Sequence, residues 1–226
     1  MQLTYYGHSC FAVFIQGKHI LFDPYISPNE LARHIAIDEI PADYIFISHG
    51  HFDHITDVIR IATRTGAKVI ATWETYNWLN QQGLTNTHPM NPGGKWNFEF
   101  GTVRCVTAQH GNSLPDGTYG GIACGFVLST PDGNFYYGGD TALTMDMQLI
   151  PQFTTLDFAV FPIGDDLTMG PEEAIVAAQF VKVKKVVGVH YDTFGFIKID
   201  HDRAKETFAK AGMELELVPI GGQIVL

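Results

Sequence analysis

Cysteine is scarce in this chain: Cys10, Cys105 and Cys124 are the only three in 226 residues. Odd in number and widely spaced, they exclude a disulfide framework and a CxxC metal site, and read as reduced core thiols. Long apolar runs are missing too. None approaches the roughly 20 residues needed to span a bilayer. The opening MQLTYYGHSCFAVFI has no charged start and is broken by Gly7, His8 and Ser9, so it does not read as a signal peptide. Basic residues are outnumbered, 14 Lys and Arg against 24 Asp and Glu, for a net charge of -10. Such a field repels nucleic-acid phosphates and anionic membrane surfaces. No low-complexity linker divides the chain, so a single domain over residues 1–226 is expected. The expected setting is cytoplasmic and the expected partner a small molecule, with neither nucleic acid nor membrane and with a homo-oligomer left open.

What is present is an ordinary globular composition, 46% hydrophobic and 17% charged. Leu3 to Tyr6, Cys10 to Ile15 and His19 to Phe22 read as a meander of strands that turns at QGK. DYIFISH is a buried strand, and ITDVIRIATRTG behind it carries Ile55, Val58, Ile59 and Ala62 at helical spacing up to a cap at Gly66. AKVIAT is a further strand, ETYNWLNQQG a helix and MNPGGKW a loop. The second half repeats this order loosely. Strands at Trp96 to Phe100 and Val103 to Ala108 precede a hairpin from Ile122 to Ser129, through PDGN, to Phe135 and Tyr137. A helix near Ala142 to Ile150, strand DFAVFPIG, helix PEEAIVAAQFVK opened by Pro171, strand KVVGVHY, helix DRAKETFAKAG and strands ELELV and QIVL complete it. Two βα halves of this kind imply an α/β fold, an αββα sandwich of two packed mixed sheets flanked by helices.

The densest chemistry lies in SHGHFDH, Ser48 to His54. His49 and His51 stand two apart on extended backbone and point the same way, toward one ion. Asp53 and His54 follow a turn into a helix and reach a second ion displaced by roughly 3.5–4 Å. Three single residues recur in one kind of place: His110 in AQHGN, Asp140 in GGDT and His190 in GVHYDTF each follow an apolar strand and precede a turn. Open α/β sheets bind ligands at such strand ends.

This order, HxHxDH and then a single His, a single Asp and a final His, resembles the metallo-β-lactamase superfamily over essentially the whole chain. GHSCF, FDPY, MNPGG, GGDT, TMGPEEA and HYDTF are similar to a subgroup of small bacterial and archaeal metal-dependent hydrolases akin to the ascorbate-6-phosphate lactonase type. The resemblance implies His49, His51 and His110 on a first ion, Asp53, His54 and His190 on a second, and Asp140 bridging both. It implies two divalent metal ions, with zinc best suited to imidazole and carboxylate, while manganese, iron, nickel or cobalt accept the same ligands. A water between two such ions has its pKa lowered from about 15.7 towards ~7. The bridging hydroxide then attacks an ester, lactone or phosphodiester, with Asp53, Asp140 and His8 as the catalytic side chains.

Supporting residues follow from the same resemblance. Asp23 in LFDPY would lie beneath the HxHxDH loop and orient its ligands, the alternative being a turn residue before Pro24. The GHS turn would place His8 near the site mouth, to touch substrate or protonate the leaving group; a buried, hydrogen-bonded histidine is the alternative. Thr168 and Met169 would line the substrate pocket, with core filling the alternative for Met169. Asp165 stands where the family tends to carry glycine; with Asp166 it either favours a cationic or neutral substrate or lies in solvent. His19, His34, His88 and His201 match no ligand position.

Three other functions share some of these features. A mononuclear iron dioxygenase would use a 2-His-1-carboxylate face. A nuclease conflicts with the acidic balance. A non-enzymatic metal-binding module conflicts with a ligand set that leaves positions facing solvent.

Overall fold

Alternating inward apolar residues build the start of the chain into an antiparallel meander, β1 (Gln2–Gly7), β2 (Cys10–Ile15) and β3 (Lys18–Phe22). The computed structural model describes residues 1–226. Parallel strands β4 (Tyr44–Phe46), β5 (Lys68–Ala71) and β6 (Thr87–Pro89) extend the meander on one side. The second sheet starts with antiparallel β7 (Lys95–Phe98), β8 (Gly101–Thr107), β9 (Cys124–Thr130) and β10 (Gly133–Tyr137). It continues with parallel β11 (Phe158–Pro162), β12 (Lys185–Val189) and β13 (Glu214–Glu216). The last strand, β14 (Gln223–Val225), returns to the first sheet and pairs with β1. Each sheet therefore has seven strands and one antiparallel and one parallel half.

The sheets face each other across a core of aromatic and branched side chains, among them Phe11, Phe22, Phe46, Phe126 and Phe135. Helices α1 (Phe52–Ile55), α2 (Val58–Thr65) and α3 (Trp73–Gln81) follow strands of the first sheet, and α4 (Pro171–Val181) and α5 (His201–Lys210) follow strands of the second. The outer core of each sheet collects residues from its own helices: Val58, Ile61 and Leu79 on one side, Ile175, Ala178 and Phe208 on the other. This is the αββα sandwich of two mixed sheets read from the sequence. No helix is long and apolar enough to cross a membrane.

Three local expectations change. The single helix expected over ITDVIRIATRTG is two, broken at Thr56–Asp57. Asp57 is drawn inward to accept the N–H groups of Ile26 and Ser27 at 2.6 and 2.8 Å and the Ser27 hydroxyl at 2.5 Å. The helix expected near Ala142 to Ile150 is a 3₁₀ stretch over Met145–Gln152 that contains Pro151, whose ring removes an N–H donor. Lys95, expected in a loop, begins β7, one residue ahead of the strand expected from Trp96. The short strand β6, not among the elements expected from sequence, ends on Pro89, tolerated because β6 is an edge.

Candidate metal centre

The seven proposed ligands, His8 and Asp23 all follow the C-terminal end of one of six strands: His8 after β1, Asp23 after β3, residues 48–54 after β4, His110 after β8, Asp140 after β10 and His190 after β12. Within each sheet these strands run in one sense. The two sheets thus deliver their strand ends to one edge of the sandwich.

Side-chain hydrogen bonds brace the contribution of the first sheet. Asp23 is fully buried and accepts the Ser48 N–H at 2.8 Å on Oδ1. Its Oδ2 accepts the Ser48 hydroxyl at 2.5 Å, the Tyr137 hydroxyl at 2.6 Å and His54 Nδ1–H at 2.9 Å. That last bond fixes the tautomer of His54 and turns its Nε2 toward the site. Ser48 Oγ also lies 2.9 Å from His49 Nδ1. The loop over residues 112–120 presses on the motif from outside: Asn112 Oδ1 accepts the Gly50 N–H at 2.7 Å, and a Cβ on Gly50 would meet the Leu114 side chain at 2.6 Å.

The contribution of the second sheet is set by backbone. Gly139 has φ 62°, and a Cβ there would meet the Cys124 carbonyl at 2.6 Å, so only glycine lets the chain turn Asp140 inward here. Ala142 N–H donates to Gln109 O at 3.1 Å, tying the Asp140 and His110 loops together. His190 has φ 57° and donates its N–H to His8 O at 2.8 Å. His8 and Asp23 are left-handed as well, at φ 55° and 41°. Non-glycine residues in that region cost about 1–3 kcal/mol each, strain that tends to collect at functional sites.

Around these anchors the ligand-type atoms form three groups, each with its atoms within 4.8 Å of one another: His49, His51 and His110 in one, His8, Asp53, His54 and His190 in a second, and Asp23, His49 and His54, the brace described above, in a third. Asp140 lies between the first two. Its Oδ2 is 2.9 Å from His190 Nε2, 3.2 Å from His54 Nε2, 3.7 Å from His110 Nε2 and 4.0 Å from His49 Nε2. Buried His54 Nε2, His190 Nδ1 and Asp140 Oδ1 have no hydrogen-bond partner. Orphaned buried donors and acceptors are costly, and divalent cations among these atoms would satisfy the two that face the cluster, His54 Nε2 and the Asp140 carboxylate. Imidazole and carboxylate are the donors that zinc and its neighbours take.

Protonation favours the same reading. Burial pushes the His49, His51 and His110 imidazoles down, so they stay neutral. Burial would raise the carboxyls of Asp53 and Asp140, but adjacent imidazoles, chiefly His54 for Asp53 and His190 for Asp140, hold both well below the usual range. Neutral imidazole and ionised carboxylate are the ligand forms. His54 is the exception: burial disfavours its charge, yet Asp140 and Asp53 raise it well above the ordinary value.

The structure brings together all seven residues proposed as metal ligands, with Asp23 beneath them. His8 differs from its expected place at the site mouth. It is 1% exposed and both ring nitrogens are engaged, Nε2 with Asp53 Oδ2 at 3.0 Å and Nδ1 with Thr193 Oγ1 at 3.0 Å. Burial and nearby His190 lower it to about 4. A neutral, enclosed imidazole behind Asp53 holds that carboxylate and is not free to reach a leaving group. Met169 is corrected too: it is 1% exposed, within the outer core, because its side chain turns under the second sheet while only its N–H reaches Thr141 O beside Asp140. Thr168 is half-buried and its hydroxyl lies 3.4 Å from Met169 O. Asp165 and Asp166 are exposed and line a cleft of about 570 Å³ with Glu172, Lys198 and Arg203, a lining that includes none of the ligand residues.

Sequence reading missed Tyr137 and Asn112. Tyr137 lies three residues before Asp140 on an inward-facing position, and a buried tyrosine needs a partner for its hydroxyl; that was the available signal. Asn112 carried none beyond its place in a loop.

A family model described as a beta-lactamase superfamily domain matches residues 18–191. The chain is 48% identical, over the full length of both, to a UPF0173 metal-dependent hydrolase of Christiangramia forsetii. It is 42% identical to the metal-dependent hydrolase YtkL of Bacillus subtilis, covering 88% of this chain and 89% of that protein. Among solved structures it is similar to Igni18, a metallo hydrolase from the archaeon Ignicoccus hospitalis, with a TM-score of 0.88 at 31% identity, covering 99% of this chain and 97% of that one.

Proposed function

The chain belongs to the beta-lactamase superfamily and is a metal-dependent hydrolase, and from that premise we propose that it cleaves an ester, lactone or phosphodiester of a small molecule at a dinuclear centre. One observation carries this reading: Asp140 Oδ2 has four imidazole Nε2 atoms within 4.0 Å, two from each of the two groups it lies between. His49, His51 and His110 would hold one divalent ion, Asp53, His54 and His190 a second, and Asp140 both, with zinc the best match to the donor set. When bound, such ions supply a water of lowered pKa and polarise the substrate oxygen that gains negative charge.

The protein's own side chains do the rest by position. Asp23 holds His54 in the tautomer that leaves Nε2 free, and holds the motif backbone through Ser48. His8 donates Nε2–H to Asp53 and accepts from the Thr193 hydroxyl at Nδ1, so Asp53 stays ionised and fixed. Asp140 is held ionised between the groups by His190 and His54.

The test is the metal content of protein purified without added metal, paired with hydrolysis of a lactone and a phosphodiester panel. About two zinc ions per chain, with turnover lost on chelation and restored by zinc, is the expected result. A single iron per chain with oxygen uptake and no hydrolysis overturns the proposal.

A further inference from the structure

One wall of the centre is aromatic, and the fold does not need all of it. Phe52 stands between His51 and Asp53 in the motif itself, yet it is 54% exposed. Its ring lies 5.8 Å from Tyr25 and 6.3 Å from Phe194, and Phe194 stacks on Phe196 at 5.7 Å and 15°. Phe196 is 58% exposed. The wall begins at the cluster, because the Phe194 ring is 5.4 Å from the His8 ring and the Tyr25 ring 5.5 Å from it. Tyr25 and Phe194 are explained by packing, since they seal His8 from water. Phe52 and Phe196 leave more than half their surface in solvent beside them, on chain segments pinned by the site. Contiguous exposed aromatic surface next to a reactive centre marks a ligand contact.

Charge narrows the class of ligand. Every ion pair of the site joins a histidine to an aspartate. The lysine and arginine pairs lie elsewhere, on Glu99, Asp38, Glu214 and Glu206. Lys198 and Arg203 line the cleft that Phe196 borders, but Asp165, Asp166, Glu172 and Asp200 outnumber them there, so its charge does not favour an appended phosphate or carboxylate. Flat rings stack on or edge against such a wall at centroid distances of about 4.5–7 Å.

We infer that Tyr25, Phe52, Phe194 and Phe196 form the specificity subsite of the enzyme and seat an aryl or similarly flat apolar group of the substrate beside Asp53. This rests on the hydrolase reading above, and the test separates the two. Zinc-loaded protein is assayed on two γ-butyrolactones that carry a phenyl or a methyl group β to the carbonyl, with alkaline hydrolysis of each correcting for intrinsic reactivity. The expected preference for the phenyl lactone is about tenfold or more in kcat/KM, carried mainly by KM, as a filled apolar pocket gives. Phe52→Ala removes most of that ratio and Phe52→Tyr keeps it, with zinc content equal in all three proteins. Saturation-transfer NMR with benzyl alcohol reads the subsite without turnover: the aryl signal seen with the parent protein weakens in Phe52→Ala. Turnover of both lactones with equal corrected kcat/KM, unaltered by Phe52→Ala, overturns the subsite and leaves the hydrolase. If neither lactone is hydrolysed, the lactonase reading fails and the NMR arm decides, with a signal equal in parent and Phe52→Ala overturning the subsite.

Discussion

The two sheets furnish the same site in different ways. The first contributes six of the nine residues described, His8, Asp23, His49, His51, Asp53 and His54, and locks them with side-chain hydrogen bonds centred on Asp23. The second contributes His110, Asp140 and His190, one per strand end. Asp140 Oδ1 and His190 Nδ1 lack any hydrogen-bond partner. What orients this second set is backbone: the left-handed turns at Gly139 and His190 and the bond between His190 N–H and His8 O. Damage to the first set should therefore spread through a network, and damage to the second should stay where it is made.

The largest effect is expected at the point where the sets meet. Asp140→Asn keeps the shape and removes the charge that four imidazoles surround. Turnover should fall by at least about 10²–10³-fold, the scale of one lost electrostatic stabiliser, with bound metal reduced towards one ion per chain. At neutral pH the metal-free variant should also lose stability, because His190 and His54 hold the Asp140 carboxylate well below its usual range. Unchanged thermal unfolding of the metal-free variant would show that these charge contacts add nothing to the fold.

Asp23→Asn tests the network. An amide cannot accept from Ser48 N–H, Ser48 Oγ, His54 Nδ1 and Tyr137 together. Metal affinity should drop about 10–100-fold, and stability by about 1–3 kcal/mol for the buried donor left unpaired. The loss should fall mainly on the ion held by His54, which metal titration by calorimetry resolves as one weakened and one near-normal site. Equal weakening of both would mean that Ser48 carries the effect to His49 as strongly as His54 does.

The same contrast decides what could be read from residues alone. The run after β4 was legible because four ligand-type side chains fall within six positions, and the three ligands of the second sheet because each closes an apolar strand. The direction of His8 was not legible: a left-handed turn aims its ring behind Asp53, and nothing in GHS fixes that. Met169 sits where backbone reaches the centre and side chain reaches the core, a split that residue type does not encode. The break between α1 and α2 depended on a tertiary partner of Asp57, the loop at Ile26 and Ser27.

Protons give a third comparison, measured on chelator-treated protein. His8 is lowered from 6.5 to about 4, and His49, His51 and His110 are lowered too, in each case chiefly by burial. Below pH 6.5 the unfolded chain therefore binds protons that the folded chain refuses. Stability falls as pH drops from 6.5 towards 4, by up to about 1.4 kcal/mol per pH unit for each such proton. Asp53 and Asp140, held low by His54, His190 and His8, contribute stability above their ordinary value of 3.8 and lose it as pH falls through their folded values. His54 is raised, so its contribution is complete below 6.5 and lost as pH rises through its folded value. Urea unfolding across pH 4–7 should show the histidine slope, and His8→Gln should flatten it. A slope of the opposite sign would mean that His54 outweighs the other imidazoles.

The smallest effect on metal binding separates two adjacent tyrosines of β10. Tyr137 faces the first sheet and donates its hydroxyl to Asp23; Tyr136 faces the helices, and its buried hydroxyl has no partner. Tyr137→Phe removes a hydrogen bond to a charged acceptor, worth about 1.5–3 kcal/mol, and should weaken metal binding a few-fold because Asp23 loses one of its fixings. Tyr136→Phe removes a buried hydroxyl that nothing satisfies, so it should leave metal affinity unchanged and stability equal or slightly higher. Parallel urea denaturation and metal titration of the two variants read the difference. If both lose stability equally, the cost belongs to packing in the strand, and the brace from the second sheet to Asp23 contributes little.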